Sequence, residues 1–267
     1  MKAPDLAKIN APPSILIFGP FGTFKTGLVS QASGAYLFDF DNGMRTAWKV
    51  QDKFTPLRHA IEFDIYQDEV YNKPTAWMKA MSKLQLFAQQ HADGKFKYDG
   101  IIIDSFTGMI RALQLQIMLN DTGDALAKPQ IQHWGAMVHQ VESFLTILRG
   151  IRCLKIVTAH ELFLEKQIKS SDGRKVLRTE PEYHPMSVTQ KHSINKLGWL
   201  FDEIWHASVS IGAGTSMLWT LSSRSSPGIK CRTRSGFPDK YVHTETGLKG
   251  VLEKIGYSYG AETKQKS

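Results

Sequence analysis

A lysine followed by a threonine, both just after a glycine-bearing turn, can hold a polyphosphate together with its counter-cation. Residues 14–30 read SILIFGPFGTFKTGLVS, an apolar run that breaks at Gly19 and turns apolar again after Thr26. In a phosphate-binding loop the backbone amides converge on phosphate oxygens, a lysine reaches the β- and γ-phosphates, and a Ser/Thr hydroxyl meets Mg²⁺. Gly19, Pro20, Phe21, Gly22, Thr23, Phe24, Lys25 and Thr26 supply every part except the glycine that usually precedes the lysine. Phe24 stands in its place, and it fits if its backbone angles are ordinary and its side chain points away.

Three further stretches put acids or polar groups at strand ends. YDGIIIDS, residues 98–105, is an apolar strand ending in Asp104, the form of a carboxylate that holds Mg²⁺ beside such a loop. AYLFDFDNG, residues 35–43, ends in Asp39 and Asp41. Side chains alternate along a strand, so both acids are expected on one face, where a carboxylate could activate an attacking water. The alternative is that one acid caps the following helix and the other is simply exposed. KIVTAHE, residues 155–161, brings Thr158, His160 and Glu161 to a sheet edge, where a polar group could sense a γ-phosphate. The strands carrying the Lys25 and Asp104 motifs are expected to be neighbours.

An open sheet is what positions such groups. β-rich apolar runs at 15–18, 35–40, 100–103 and 154–158 are interspersed with helical periodicity at 75–91 (Trp77, Met81, Leu84, Phe87) and 133–148 (Trp134, Val138, Val141, Phe144, Leu145). That order predicts an α/β fold, a mostly parallel sheet with helices on both faces. Beyond His160, residues 161–178 read as a hairpin turning at Ser171-Asp172-Gly173, followed by a polar stretch to 193. Apolar segments at 203–211 and 216–221, around Gly212-Ala213-Gly214, predict antiparallel strands extending the sheet. The expected organisation is an N-terminal extension, 1–13, one core, 14–259, and a disordered tail, 260–267.

Composition narrows the setting. At 267 residues, 42% hydrophobic and 22% charged, the chain has the make-up of an ordinary globular protein. No apolar run reaches the ~18 residues of a membrane-spanning helix. The first residues lack an export-signal pattern, and Cys153 and Cys231 lie too far apart for metal spacing, so a cytoplasmic protein off the membrane is expected. The 33 basic against 25 acidic residues give a net charge of +8, which favours a polyanionic partner through counterion release. The charge gathers at Lys166, Lys169, Arg174, Lys175 and Arg178, and at the alternating Lys230, Arg232 and Arg234.

Taken in order, these four pieces resemble the RecA-type ATPase core. The chain is most similar to the short phage-encoded RecA-like ATPases that act as single-strand annealing recombinases, over roughly residues 14–234. The resemblance implies a RecA-like P-loop NTPase core that binds ATP and Mg²⁺, with Thr26 and Asp104 on the metal. LFDFDNG resembles the strand whose terminal acid is catalytic, which falls on Asp41. IIIDS is similar to the strand of the metal-binding acid, Asp104 and Ser105, and VTAHE to the strand ending in an allosteric polar switch, His160. Lys25, Asp41, Asp104 and His160 are therefore the implied catalytic set.

In that family, basic residues of one subunit reach the γ-phosphate held by the next, and IKCRTRSG would present Lys230, Arg232 and Arg234 on one strand face for this role. Two loops facing the central axis bind single-stranded DNA. Their counterparts by position are 106–132, with Arg111, Lys128 and a turn at Asn120-Asp121-Thr122-Gly123, and 163–196. In the second, Lys166, Lys169, Arg174, Lys175 and Arg178 could track phosphates while Phe163 or Tyr183 stacks on bases.

Phe24, the aspartate at 41 and the histidine at 160 depart from the family pattern and leave three functions in view. One is an ATP-dependent, DNA-stimulated ATPase that binds single-stranded DNA and promotes annealing and recombination as a homo-oligomeric ring or filament. Another is a small-molecule kinase of the nucleoside type, and the third is a nucleotide-binding adaptor that assembles without turnover. For the first, the resemblance further implies a single-stranded DNA-binding protein or an exonuclease of the same virus as partner.

Overall fold

Strands written as unbroken apolar runs are expected to be covered on both faces, and the computed structural model of the chain shows how. It describes residues 12–259 apart from 71, 170–175, 190–196, 198–199, 213–215 and 227. The strands are Ser14–Gly19 (β1), Ala35–Asp39 (β2), Glu62–Ile65 (β3), Gly100–Asp104 (β4), Leu154–Lys169 (β5), Val176–Pro185 (β6), Glu203–Ile211 (β7), Met217–Ser222 (β8) and Lys240–Val242 (β9). The helices are Lys25–Val29 (α1), Met44–Ala47 (α2), Thr55–His59 (α3), Ala76–Ala92 (α4), Phe106–Thr122 (α5), Ile131–Gly150 (α6) and Gly247–Glu253 (α7).

The sheet runs β3-β2-β4-β5-β1-β7-β8-β9, parallel as far as β7 and antiparallel from there, with β6 folded back on the outer half of β5. Alternate residues feed opposite cores. Leu16 and Phe18 of β1, Phe38 of β2 and Ile101 and Ile103 of β4 pack with α4, α5 and α6 through residues such as Phe87, Met109 and Phe144. Ile15 and Ile17, Leu37 and Ile102 face the other way, towards Leu28 of α1, Met44 of α2 and Val251 of α7. No described helix is long and apolar enough to cross a membrane.

The structure corrects three expectations about order and form. The Lys25 and Asp104 motifs do not lie on neighbouring strands, because β5 sits between β1 and β4. Parallel strands are joined by crossovers, and hydrophobic periodicity says nothing about which slot a strand takes. Residues 106–122, expected within an axis-facing loop, form a helix. Ser105 Oγ caps it by accepting from the Gly108 N–H at 3.1 Å, and Gly123 ends it in the left-handed region, φ 75°. Asn120-Asp121-Thr122-Gly123 is thus the end of a helix, and the link to α6 is held by His133, which contacts both Gln130 and Asp121. The first arm of the hairpin beyond His160 is a continuation of β5, with a register shift against β6 between Ile168 and Lys169; its expected turn, Ser171-Asp172-Gly173, lies outside the described residues, as do 1–11 and 260–267.

Gly19, where β1 passes into the phosphate loop, is required by close approach. A Cβ there would lie 2.3 Å from the Ala207 carbonyl oxygen of β7. That oxygen belongs to a strand already paired with β1, so neither side can yield cheaply. Gly19→Ala is expected to lower unfolding free energy by about 1–3 kcal/mol in urea titration; wild-type stability would contradict this packing.

Candidate functional site

Lys25 opens α1, and its side chain folds back over the loop that precedes it. Its Nζ donates to the carbonyl oxygens of Gly19 and Pro20, at 2.9 and 2.8 Å, and to Thr23 Oγ1 at 3.2 Å. Burial pushes the ammonium down to about 8, against the attraction of Asp104, Glu161 and Asp41. The same donors that now satisfy loop carbonyls are positioned to be transferred to phosphate oxygens.

Phe24 does not have the ordinary backbone expected of it. Its φ of 60° and ψ of 25° are left-handed, the conformation glycine adopts freely and other residues adopt at about 1–2 kcal/mol. The ring offsets part of that cost. It lies over Gly27, where any Cβ would come within 2.3 Å of it, and packs on Trp219 of β8 with ring centroids 4.9 Å apart, a contact worth about 0.5–1.5 kcal/mol.

Asp104 is buried at the end of β4. Thr26 Oγ1 donates to its Oδ2 at 2.7 Å, and Thr158 Oγ1 donates to its Oδ1. Burial pushes the carboxyl up to about 6, outweighing the lowering effect of the Thr158 and Thr26 hydrogen bonds. A hydroxyl and a carboxylate oxygen side by side are the hard oxygen donors Mg²⁺ takes, and a desolvated carboxylate is relieved by a cation, so Thr26 and Asp104 fit as its protein ligands. Held there, Mg²⁺ would supply positive charge to neutralise that of the phosphates.

Of the two acids after β2, the structure assigns different tasks. The strand ends at Asp39, so the alternation that would have put both on one face does not reach Asp41. Asp39 is fully buried and accepts from the N–H groups of Asp41, Gly43 and Met44 at 3.2, 2.9 and 3.0 Å, capping α2. Asp41 faces the cleft, its Oδ2 3.3 Å from His160 Nε2. Burial pushes the Asp41 carboxyl up, but hydrogen bonds with His160 and Ser105 outweigh it and hold the group below the usual carboxylate range. His160 is itself fixed by its backbone N–H, which donates to Thr107 Oγ1 at 3.1 Å, and by the Phe21 ring, tilted against it with ring centroids 4.1 Å apart; its Nδ1 is buried without a partner. Glu161 turns instead to His206, 3.1 Å away.

A cleft of about 960 Å³ gathers the phosphate loop, Asp41, Asp104, Thr158 and His160. It also brings in residues that sequence reasoning assigned elsewhere or passed over: Arg111 of α5, and Tyr66, Gln67 and Asp68 beyond β3. β3 is a half-exposed edge strand in which acids alternate with apolar residues, too short a signal to separate from a loop.

The basic residues lie elsewhere. Lys230, Arg232 and Arg234 do not share a strand face: only Arg232 forms a bridge, with Ile204, and Arg234 pairs with Asp202 at 2.8 Å. Asp202 also accepts from the N–H of Ser14, the first residue of β1, at the sheet end opposite the cleft. Lys128 falls in the short α5–α6 link, Lys166 and Lys169 on β5 and Arg178 on β6, while Arg174 and Lys175 lie outside the described residues. Phe163 and Tyr183 face each other across the hairpin, ring centroids 5.5 Å apart.

A phosphate loop after β1, a buried strand-end acid two strands away and a parallel β2-β4-β5-β1-β7 order, extended by antiparallel strands on the C-terminal side, define a RecA-like P-loop ATPase core. The chain belongs to the AAA-domain family, whose model matches residues 11–230. Among solved structures it is similar to a KaiC-like protein from the hyperthermophilic archaeon Pyrococcus horikoshii OT3, 9% identical over 87% of this chain and 85% of that one, with a TM-score of 0.45. No curated protein matches it.

The two shifted groups set a pH window. Asp104 takes up a proton as pH falls through about 6, and Lys25 loses one as pH rises through about 8. Mg²⁺-nucleotide binding needs both charged, so affinity measured by calorimetry is expected to peak between these values. Asp104→Asn should flatten the acid limb and Lys25→Ala the alkaline one; a wild-type profile flat on both sides would contradict the assignment.

Proposed function

We propose that the chain is an Mg²⁺-dependent ATPase that couples ATP turnover to single-stranded DNA binding, and that it promotes strand annealing in recombination as a homo-oligomeric ring or filament. Lys25 exchanges its loop carbonyls for β- and γ-phosphate oxygens, and Thr26 with Asp104 holds the metal. Asp41, ionised at neutral pH, orients and deprotonates the attacking water. Asp39 keeps the Asp41 turn in place, and His160, on the far side of Asp41, responds to the presence of the γ-phosphate.

One observation carries the DNA part of this reading. β5 runs unbroken from Leu154 in the core, past Thr158 and His160 in the cleft, to Lys169 in the hairpin. A change at His160 is therefore a change at the base of a hairpin whose sequence holds Lys166, Lys169, Arg174, Lys175 and Arg178. The net charge of +8 fits a phosphate backbone as ligand. A single-stranded DNA-binding protein or an exonuclease of the same virus is the proposed partner, in the host cytoplasm.

ATP hydrolysis by the purified chain is expected to rise on adding single-stranded DNA, and Lys25→Ala should abolish basal and stimulated turnover alike. If the five hairpin cations each neutralise one phosphate, log affinity for DNA should fall with log salt at a slope of about −3 to −4. Turnover indifferent to DNA would sink the coupling and favour a kinase; nucleotide binding without turnover would favour an assembly adaptor.

A further inference from the structure

We propose that Arg111 is a catalytic arginine acting in cis, contacting the transferred phosphoryl group of the nucleotide held by its own subunit. This rests on the ATPase reading above and adds a residue to it. The α5 face made of Gly108, Arg111, Ala112 and Leu115 lines the same cleft as Lys25, Asp41 and Asp104. These positions are i, i+3, i+4 and i+7, one stripe of a helix.

Gly108 sets the distance. A Cβ on it would lie 2.4 Å from Asp41 Oδ1 and 3.0 Å from the Phe40 Cβ, so the backbone of α5 rests directly against the Asp41 turn. Long side chains on a helix lean towards its N-terminus and cover the turn before their own Cα. Arg111, an exposed residue one turn on, stands on the same stripe as the glycine that meets Asp41 Oδ1 and lines the same cleft. The other carboxylate oxygen, Oδ2, faces His160. Asp41 is thus flanked by His160 on one side and by the α5 stripe on the other.

Arg111 makes no hydrogen bond or ion pair among the described residues, although Asp41, Asp68 and Asp104 line the same cleft. Arg58, Arg224 and Arg234 are each paired with an aspartate. An arginine left without a carboxylate in a cleft that contains three is available to an anion the protein does not itself supply. Lys25 serves the loop end of a triphosphate; a guanidinium from the α5 stripe would serve the end where water attacks and negative charge spreads over the transferred oxygens. Arg234, from the set that the family resemblance would use in trans, is already tied to Asp202.

The test compares wild type, Arg111→Ala and Arg111→Lys for steady-state turnover, for ATP affinity, and for affinity towards ADP with aluminium fluoride, a mimic of the transferring phosphoryl group. Thermal melting checks folding. Arg111→Ala is expected to lower kcat by about 10²–10³-fold with ATP affinity changed less than about threefold, and to lose the affinity that aluminium fluoride adds to ADP; Arg111→Lys should recover part of both. Mixing Arg111→Ala with Lys25→Ala should give no more turnover than the two alone, whereas recovery in the mixture would mean the arginine acts on a neighbour and would overturn the cis assignment. Unchanged turnover and unchanged aluminium fluoride response in Arg111→Ala, beside an active wild type, would overturn this inference alone. A wild type that binds ATP but neither hydrolyses it nor responds to aluminium fluoride would overturn the ATPase reading, and this inference with it.

Discussion

A buried carboxylate must find hydrogen bonds or a cation, and Asp104 finds both its partners on other segments. Thr26 comes from the helix after β1 and Thr158 from the middle of β5. The three residues are far apart in sequence and meet because β5 is inserted between β1 and β4, so that the C-terminal ends of all three strands open at one edge. Without either threonine, a desolvated oxygen would be left unsatisfied at a cost of about 1–3 kcal/mol. Sheet order, the phosphate loop's position and the Thr26–Asp104–Thr158 hydrogen bonds are therefore one constraint seen from three sides. The raised pKa of Asp104 is the electrostatic residue of that constraint, which a bound cation would relieve.

Around this point the remaining polar groups divide into those that build and those that act. Asp39 has both carboxylate oxygens taken by backbone N–H groups and serves only to shape the turn. Asp41, two residues later, meets His160 and the bare glycine of α5, and stays ionised. Phe24 shows the same division in the loop itself, its left-handed backbone helping to build the phosphate turn while its ring is stowed against Gly27 and Trp219. A phosphate loop without its second glycine is thus accommodated by a partner from the antiparallel extension, more than 190 residues away in sequence.

What the sequence made legible follows from what is local. Lys25 and Thr26 are adjacent, the apolar runs of β1, β2, β4 and β5 are contiguous, and the periodicity of α4 and α6 spans several turns, so each could be read directly. The slot taken by β5, the backbone of Phe24 and the division of labour between Asp39 and Asp41 depend on contacts between distant segments. Position within the family pattern puts Arg111 in a loop, whereas the Ser105 cap and the Gly108 contact, both dependent on the folded chain, place it on a helix lying against the cleft. The alternation of Lys230, Arg232 and Arg234 suggested a strand, but the segment makes one bridge to Ile204 and then turns to satisfy Glu203 and Asp202.

The continuity of β5 makes the cleft and the hairpin parts of one element, and coupling between two sites is reciprocal in free energy. The most direct measurement is the affinity of the full chain for single-stranded DNA with and without a non-hydrolysable ATP analogue and Mg²⁺, in wild type and in Lys25→Ala. Nucleotide should tighten DNA binding by about 5–150-fold, the range of a 1–3 kcal/mol coupling, and Lys25→Ala should remove the effect. DNA affinity that is the same with and without nucleotide in wild type would contradict the link between the phosphate site and the hairpin.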